Sequence, residues 1–436
     1  MFEFIEEFIA FIRSLTVEHF VRLFWFFIFF EMIRYIILEF VILLTNTITN
    51  KLKAKDFTEA ERLFRFDNPF LSIIVPGKNE GENLFKLINS LKEQTYTNFE
   101  IIVVDDGSDD ETPTIGRKLE KLGLIKHFIR NEIRGGKASA ANLALRFAKG
   151  KYVIHLDADC SFDNDAIEKI IIPFYLDDRI GAVGGNVAVR NYKESLVTTM
   201  QAIEYYDTIS ISRIVSSKLG IYRVISGAFG AFKKEALDSI KGWDIGPGLD
   251  GDLTVKIRKL GYKIEFAAEA MCLTNAPNTL KKLTKQRLRW DKSLVRFRMR
   301  KHKNIFYPNK SFNFSNFISL FENITYGFVL NIKWVFYVVD MWFNNASQIE
   351  FIFVTNVILY TVANYFKFIV FSLFRTRKNA PISYFLIYIP AVVFYFGYYL
   401  RSVRIFAHFQ EIFFKTSYND PWNPKKTSRF AKDNNM

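Results

Sequence analysis

Three short runs rich in apolar residues, at 71–75, 100–104 and 152–156, each end in a polar turn. Each turn leads into a segment of helical composition, at 81–94, 111–122 and 138–149. Strand-length apolar runs alternating with helix-length segments restrict the middle of the chain to an α/β domain with a mostly parallel sheet. Ligands of such sheets bind beyond the carboxyl ends of the strands. Two acidic groups fall there: Asp105-Asp106 after the second run, and Asp157-Ala158-Asp159 after the third.

The two ends of the chain differ in kind from the middle. Apolar residues make up 50% of the 436 and include 47 Phe, and the excess is concentrated at the ends. Residues 1–16 read as a short amphipathic helix with Phe4, Ile5, Phe8, Ile9 and Ile12 on one face, lying on a membrane surface. Its acidic start and the lack of a small-residue cleavage site speak against a cleavable signal peptide. Residues 20–48 are long and apolar enough for one tilted spanning helix. Glu31, Arg34 and Glu39 interrupt it, either facing a polar path or as ordinary paired charges. Lys51, Lys53 and Lys55 follow and place this end in the cytosol. Three more spans are expected at 314–343, 351–374 and 382–400. The expected organisation is therefore 1–50 as an amphipathic and transmembrane segment and 51–280 as a cytosolic α/β domain. Residues 281–313 would be interface helices, 314–414 membrane helices and 415–436 a basic tail, in a multi-pass protein of the plasma membrane. One conflict stands. Four spans put the tail outside, whereas Lys425, Lys426, Arg429 and Lys432 favour the inside. The loops 344–350 (no Lys or Arg) and 375–378 (rich in both) are expected outside and inside respectively.

The formal net charge of +14 suits an anionic lipid surface or a polyanionic substrate. No nucleic-acid recognition module is present. Two cysteines, Cys160 and Cys272, exclude a disulfide-rich framework and fit a reducing compartment.

Several motifs carry chemistry. Val75-Pro76-Gly77-Lys78-Asn79-Glu80 turns out of the first run, and Pro76, Lys78 and Glu80 can border a base or ribose; an ordinary strand-to-helix turn uses the same residues. Asp105 and Asp106 can accept from a nucleobase imide or a ribose hydroxyl, while Gly107 allows close approach; a capped Asp-Gly turn has the same pattern. Asp157 and Asp159 put hard oxygen ligands at the crevice, as Mg²⁺ or Mn²⁺ on a diphosphate requires. Gly135-Gly136-Lys137-Ala138 is not a Walker motif, yet Lys137 can approach a phosphate at a helix start. Asp250, in Gly248-Leu249-Asp250-Gly251-Asp252, is either a helix cap or a general base. In Gln286-Arg287-Leu288-Arg289-Trp290, Gln286 and Trp290 share a helix face. Trp290 offers a sugar-stacking surface, and Arg287 or Arg289 can grip diphosphate; a basic interfacial helix is the plainer alternative.

Taken in order, these motifs resemble the membrane-embedded family 2 glycosyltransferases of the cellulose, chitin and hyaluronan synthase group, over roughly residues 68 to 305. The stretches Gly135 to Ser139 and Ser226-Gly227-Ala228-Phe229-Gly230 match as well. The resemblance implies a GT-A fold, a UDP-sugar donor, a divalent metal and inversion at the anomeric carbon. It implies that Asp105 and Asp106 contact uridine, Asp159 binds the metal and Asp250 is the base. It further implies that Ser226, Gly227 and Phe229 border the acceptor, and that Gln286, Arg287, Arg289 and Trp290 cradle acceptor and diphosphate. A growing polysaccharide would be the acceptor, fed through the membrane helices. A non-processive lipid glycosyltransferase, similar to the ceramide glucosyltransferases, is the first alternative; a non-catalytic transport or scaffold protein is the second. Related synthases close a flexible segment over the nucleotide, and residues 418–429 are similar to it in chemistry though not in exact motif.

Two positions depart from the pattern. Leu249 stands where the family has an acid before the base, which leaves Asp252 as a rival to Asp250. Asn275 stands where an acid often follows Thr274.

Overall fold

The computed structural model describes residues 2–246, 248–307, 313–374, 381–420 and 423–434. Pro247, the loop 375–378, Pro421 and Trp422 lie outside the described residues. The chain forms two compact units: Thr49–Leu320 with Phe406–Met436, and Met1–Ile48 with Phe321–Ile405.

The first of these units is built on an eight-stranded sheet. Its strands are β1 Leu71–Gly77, β2 Phe99–Asp105, β3 His127–Arg130, β4 Tyr152–Leu156, β5 Ser161–Phe162, β6 Ile180–Val189, β7 Phe229–Lys233 and β8 Lys263–Thr274. Their order is β3-β2-β1-β4-β7-β6-β8-β5. β3, β2, β1 and β4 are parallel, as are β6 and β8. β7 runs antiparallel to both its neighbours, and β5 runs antiparallel to β8.

The three apolar runs become the central parallel strands because both faces are covered, which demands apolar residues at consecutive positions. Ile73, Ile74, Ile102, Val104, Val153 and Ile154 are all fully buried. The intervening helices form at Gly81–Lys92, Thr112–Lys121 and Lys137–Phe147. The last packs Ala138, Ala140, Ala141 and Ala144 against Ile74, Ile102 and Val104, and these small residues bring the helix close to the sheet. Pro76 is tolerated inside β1 because the pairing with β4 stops at Ile74. No ladder bond is lost there for want of an N–H.

β6 and β7 are not apparent as apolar runs, because glycine and alanine dominate them. A Cβ on Gly184 would overlap Tyr222, and one on Gly185 would overlap Phe229. The small residues are the price of packing large rings across the sheet. Phe229 is therefore a core residue: it is 0% exposed and meets Phe162 edge-on at 4.9 Å. It does not face the acceptor side expected for it.

The other unit is helical. The segments Val17–Phe26, Phe27–Ile37 and Leu38–Leu52 follow one another without a break, the last ending beyond this unit. Phe4, Phe8 and Phe11 of the helix Phe2–Ser14 gather round Phe351, at 5.4, 6.2 and 5.6 Å. The charges that interrupt the 20–48 run are paired. Arg34 reaches Glu322 at 2.8 Å and Glu39 at 3.3 Å, Lys367 reaches Glu39 at 3.4 Å, and Arg401 binds Glu31. Among the described residues, two helices are long and apolar enough to cross a membrane, Phe314–Asn344 and Ala346–Leu373. The 20–48 run is not one of the two. The 382–400 run is divided, between Ile382–Leu386 and Ile389–Phe394.

The C-terminal residues group with the sheet-bearing unit. Glu411, fully buried, pairs with Arg300 and accepts from Ser417 N (2.6 Å) and Ser417 Oγ (2.8 Å). The buried Tyr418 ring lies under Arg296 at 5.6 Å and Arg300 at 5.8 Å. In sealed, oriented vesicles, single cysteines replacing Lys53 and Lys426 should react with an impermeant maleimide from the same side. Native Cys160 and Cys272 are buried and give little background. Labelling from opposite faces would contradict this grouping.

Candidate active site

The site grows from the carboxyl ends of β1, β2 and β4 and from the turn entering β7. At the end of β2, Asp105 Oδ1 accepts from Ser108 N at 2.9 Å and from the Ser108 hydroxyl. Its other oxygen, Oδ2, is buried, accepts no hydrogen bond, and lies 3.7 Å from Arg130 Nε. An acceptor left in that state favours an incoming donor. Asp106 is occupied differently. It accepts from Gly135 N (2.8 Å), Gly136 N (2.7 Å) and Asn131 Nδ2 (3.2 Å). Its carboxylate, buried and holding these three donors, shapes the glycine turn that carries Lys137. Gly136 has φ +90°, a conformation suited to glycine. The C-terminal residues reach this turn: a Cβ on Gly136 would lie 3.1 Å from Asn423 Oδ1. Lys78 is also committed, to Gly107 O and Asp109, each at 2.7 Å.

Lys137, next in the chain, donates to Asp157 Oδ1. Burial opposes its charge, but Asp157, Asp250 and Asp159 outweigh burial and its pKa is raised. Three carboxyls around it feel the reverse. Burial pushes Glu80 up to about 7, with Asp159 and Asp157 adding to the shift. Burial and then Asp157 raise Asp159, which accepts from Thr274 Oγ1 at 3.2 Å. Burial raises Asp250 as well, with Lys137 opposing and Asp157 assisting. Asp105, Glu80, Lys137, Asp157, Asp159 and Asp250 thus border one crevice.

Asp250 sits in the first turn of the helix Leu249–Lys259 and accepts from Gly227 N at 2.8 Å. A Cβ on Gly227 would stand 2.7 Å from Asp250 Oδ1, so only glycine permits this approach. Ser226 supplies the turn, its carbonyl accepting from Phe229 N at 3.1 Å. Asp252, the rival acid, is fully engaged. Its Oδ1 lies 2.6 Å from His302 Nε2 and its Oδ2 2.7 Å from Lys301 Nζ. These partners overcome burial and hold its carboxyl well below the usual range. Lys259 Nζ donates to His302 Nδ1 at 2.9 Å, so His302 is the neutral tautomer that donates from Nε2, in keeping with a pKa lowered by burial. Leu249 packs against the core.

The Gln286–Trp290 motif lies on the helix Leu280–Leu294. Gln286 Oε1 is buried and accepts no hydrogen bond, and Trp290 is half-buried. Arg287 differs from expectation. It pairs with buried Glu204 at 2.9 Å and stacks over Trp290 at 4.4 Å, so it props the indole and is not free to grip a diphosphate. Arg289 is half-buried on the same helix.

Three further residues shape the site without a motif to announce them. Arg190 binds Asp159 O (3.3 Å), Leu273 O (2.7 Å), Ser161 Oγ (2.8 Å) and Asn275 Oδ1 (3.2 Å). Asn275, an apparent departure, is thus the partner of an arginine that fastens the Asp159 turn. Glu204 holds Arg287. His155, two residues before Asp157, lies 2.6 Å from Gly227 O. Their partners are 72 or more residues away for Glu204 and His155, which no local pattern reveals.

Comparison with known proteins agrees with this geometry. The model of the family "Glycosyl transferase family 2" matches residues 72–241. The poly-β-1,6-N-acetyl-D-glucosamine synthase of Staphylococcus epidermidis is 33% identical over 309 residues, 70% of either chain. The synthase of the same name from Staphylococcus aureus is 33% identical over 262 residues, 60% of this chain and 61% of that one. Among solved structures, a mannosyltransferase from Pyrobaculum calidifontis, determined with GDP-mannose and Mn²⁺, superposes with a TM-score of 0.54 at 20% identity. It covers 86% of this chain and 99% of that one, and the shared fold is GT-A-like.

Two substitutions test the geometry. Gly227→Ala should leave the protein folded while displacing Asp250, and should abolish turnover. Asp252→Asn should cost stability instead, about 3 kcal/mol or more for a broken buried pair, measured by thermal unfolding. Because Asp252 and His302 both have lowered pKa values, their contribution is present at neutral pH. It is lost as pH falls through the ordinary His and then Asp ranges. The variant lacks the Asp252 contribution, so its melting temperature should fall less steeply than that of wild type below about pH 4, the ordinary aspartate range.

Proposed function

From its membership of glycosyltransferase family 2, among the polysaccharide synthases, we propose that this chain is a processive, inverting enzyme that extends a poly-β-1,6-N-acetylglucosamine chain from UDP-N-acetylglucosamine. The observation that carries the reading is Asp250, held by Gly227 N beside Lys137 and Asp157, in a chain a third identical to synthases of that polymer. Asp105 Oδ2 accepts from the uracil imide, and Pro76 and Glu80 border the ribose. Lys137, beside Asp157, meets the diphosphate. Trp290 stacks on the acceptor sugar, with Gln286 Oε1 accepting from one of its hydroxyls. Ser226 and Gly227 form the floor, and Arg289 stands toward the diphosphate.

No group of three or more metal-binding side chains occurs among the described residues. The crevice nevertheless fits Mg²⁺ or Mn²⁺, which take one or two carboxylates and complete their shell with substrate phosphate and water. Glu80, Asp157, Asp159 and Asp250 together exceed the charge of Lys137, and Asp159 is the carboxylate left for a cation once Asp157 binds Lys137. When bound, such an ion neutralises charge on the departing diphosphate.

The reaction is a single displacement. Asp250 takes the proton of the acceptor hydroxyl as its oxygen bonds to the anomeric carbon. The bond from that carbon to the diphosphate oxygen breaks, and UDP leaves with its new charge facing Lys137. Burial of Asp250 makes it a stronger base than an exposed carboxylate.

The test is incubation of the purified chain, in lipid nanodiscs, with radiolabelled UDP-N-acetylglucosamine and Mn²⁺ or Mg²⁺. A long product sensitive to a β-1,6-specific hexosaminidase is expected. A single labelled sugar on a lipid would identify a lipid glycosyltransferase instead. Asp250→Asn should lower kcat by about 10²- to 10⁴-fold with UDP affinity retained, whereas Asp252→Asn should turn over more like wild type. Because the Asp250 pKa is raised, the acid limb of kcat should lie above the ordinary aspartate value, activity falling as the base protonates. EDTA or Asp159→Asn should stop turnover, and full activity in chelator would remove the metal from the scheme.

A further inference from the structure

Gly227 is bonded on both sides. Its N–H donates to Asp250 Oδ2 at 2.8 Å, and its carbonyl lies 2.6 Å from Nδ1 of His155. A carbonyl oxygen can only accept, so the imidazole carries its proton on Nδ1. From these contacts we infer that His155 is a positioning residue for transfer: through the Gly227 peptide it fixes the approach of Asp250 to the acceptor.

The geometry makes this more than a buried polar contact. His155 stands on β4, paired with Gly230 of β7, so the donor comes from an interior strand of the sheet. The ring is 3% exposed and lies against Trp243 at 5.5 Å, which limits its rotation. The amide and the carbonyl of one residue belong to two different peptide planes. Bonding both restricts φ and ψ of Gly227 together, at a residue whose missing side chain otherwise leaves both free. Asp250 Oδ1 would be within 2.7 Å of a Cβ at Gly227, so small movements of this backbone are felt directly by the carboxylate. His155 itself is buried, and its Nδ1 is held by Gly227 O, so it acts through that peptide.

The inference rests on Asp250 being the base, and the experiment separates the two. Wild type, His155→Leu and His155→Asn are compared in nanodiscs for kcat, KM for the sugar nucleotide, UDP affinity and melting temperature. Asparagine places an N–H close to the position of Nδ1, and leucine supplies only bulk. His155→Leu should lose about 10- to 100-fold in kcat, with KM and UDP affinity within about twofold, and His155→Asn should recover most of the loss. Wild-type kcat in the leucine variant would overturn the inference. Parallel loss of kcat, UDP affinity and melting temperature in both variants would also overturn it, by reducing His155 to packing. Should wild type be idle with UDP-N-acetylglucosamine, the donor assignment fails on its own. The comparison is then made on whichever sugar nucleotide wild type accepts. Should Asp250→Asn retain full turnover, it is the base assignment that fails.

Discussion

The site depends on the placement of one ammonium among several carboxylates. Lys137 binds Asp157 and lies within electrostatic reach of Asp159 and Asp250. Without it, burying three aspartates and Glu80 at one sheet edge would be prohibitive, because each charge removed from water needs compensation. With it, compensation is still incomplete, and the pKa values of Glu80, Asp159 and Asp250 rise. An anionic donor would be repelled by such a crevice unless further positive charge came with it. The electrostatics alone therefore favour a donor that arrives complexed to a cation. The same unrelieved field raises the pKa of Asp250, as the base role proposed for it requires.

Asp250 and Asp252 show how context separates two identical side chains in one helical turn. Asp252 points to Lys301 and His302, and through Lys301 to Asp244, which Lys256 also binds. Its charge is satisfied and its function is to hold the helix. Asp250 receives one backbone N–H and otherwise faces the crevice. A carboxylate with two strong partners is a poor base, and one with few is a good base. The stability of the helix and, in the proposed mechanism, the reactivity of its first turn thus fall to different residues two positions apart.

How much of this the chain reveals before folding follows from the range of each interaction. β1, β2 and β4 are legible because two-sided burial writes a continuous apolar run. β6 is not, because the rings of Tyr222 and Phe229 require Gly184 and Gly185 opposite them, and glycine in a strand looks like a turn. Phe229 shares a motif with Ser226 and Gly227, and strand alternation alone decides that it points inward. Asp105, Asp157, Asp159 and Asp250 stand out as acids after strands or before a helix. The partners that give the site residues their character come from distant segments: Thr274 for Asp159, Gly227 for Asp250, Lys301 and His302 for Asp252, and Glu204 for Arg287.

The C-terminal segment shows the same limit at the scale of topology. Counting apolar runs places three spans after residue 313, while the positive tail asks to return to the cytosol. The structure joins Phe406–Met436 to the unit that leaves at Leu320, through Glu411, Ser417 and Tyr418. Two helices, Phe314–Asn344 and Ala346–Leu373, are long and apolar enough to cross a membrane. The run at 382–400 is divided by a turn and continues into the helix Arg401–Phe414, whose Arg401 binds Glu31. Apolar content registers neither that turn nor the buried glutamate and the tyrosine between two arginines that tie the tail to the sheet-bearing unit.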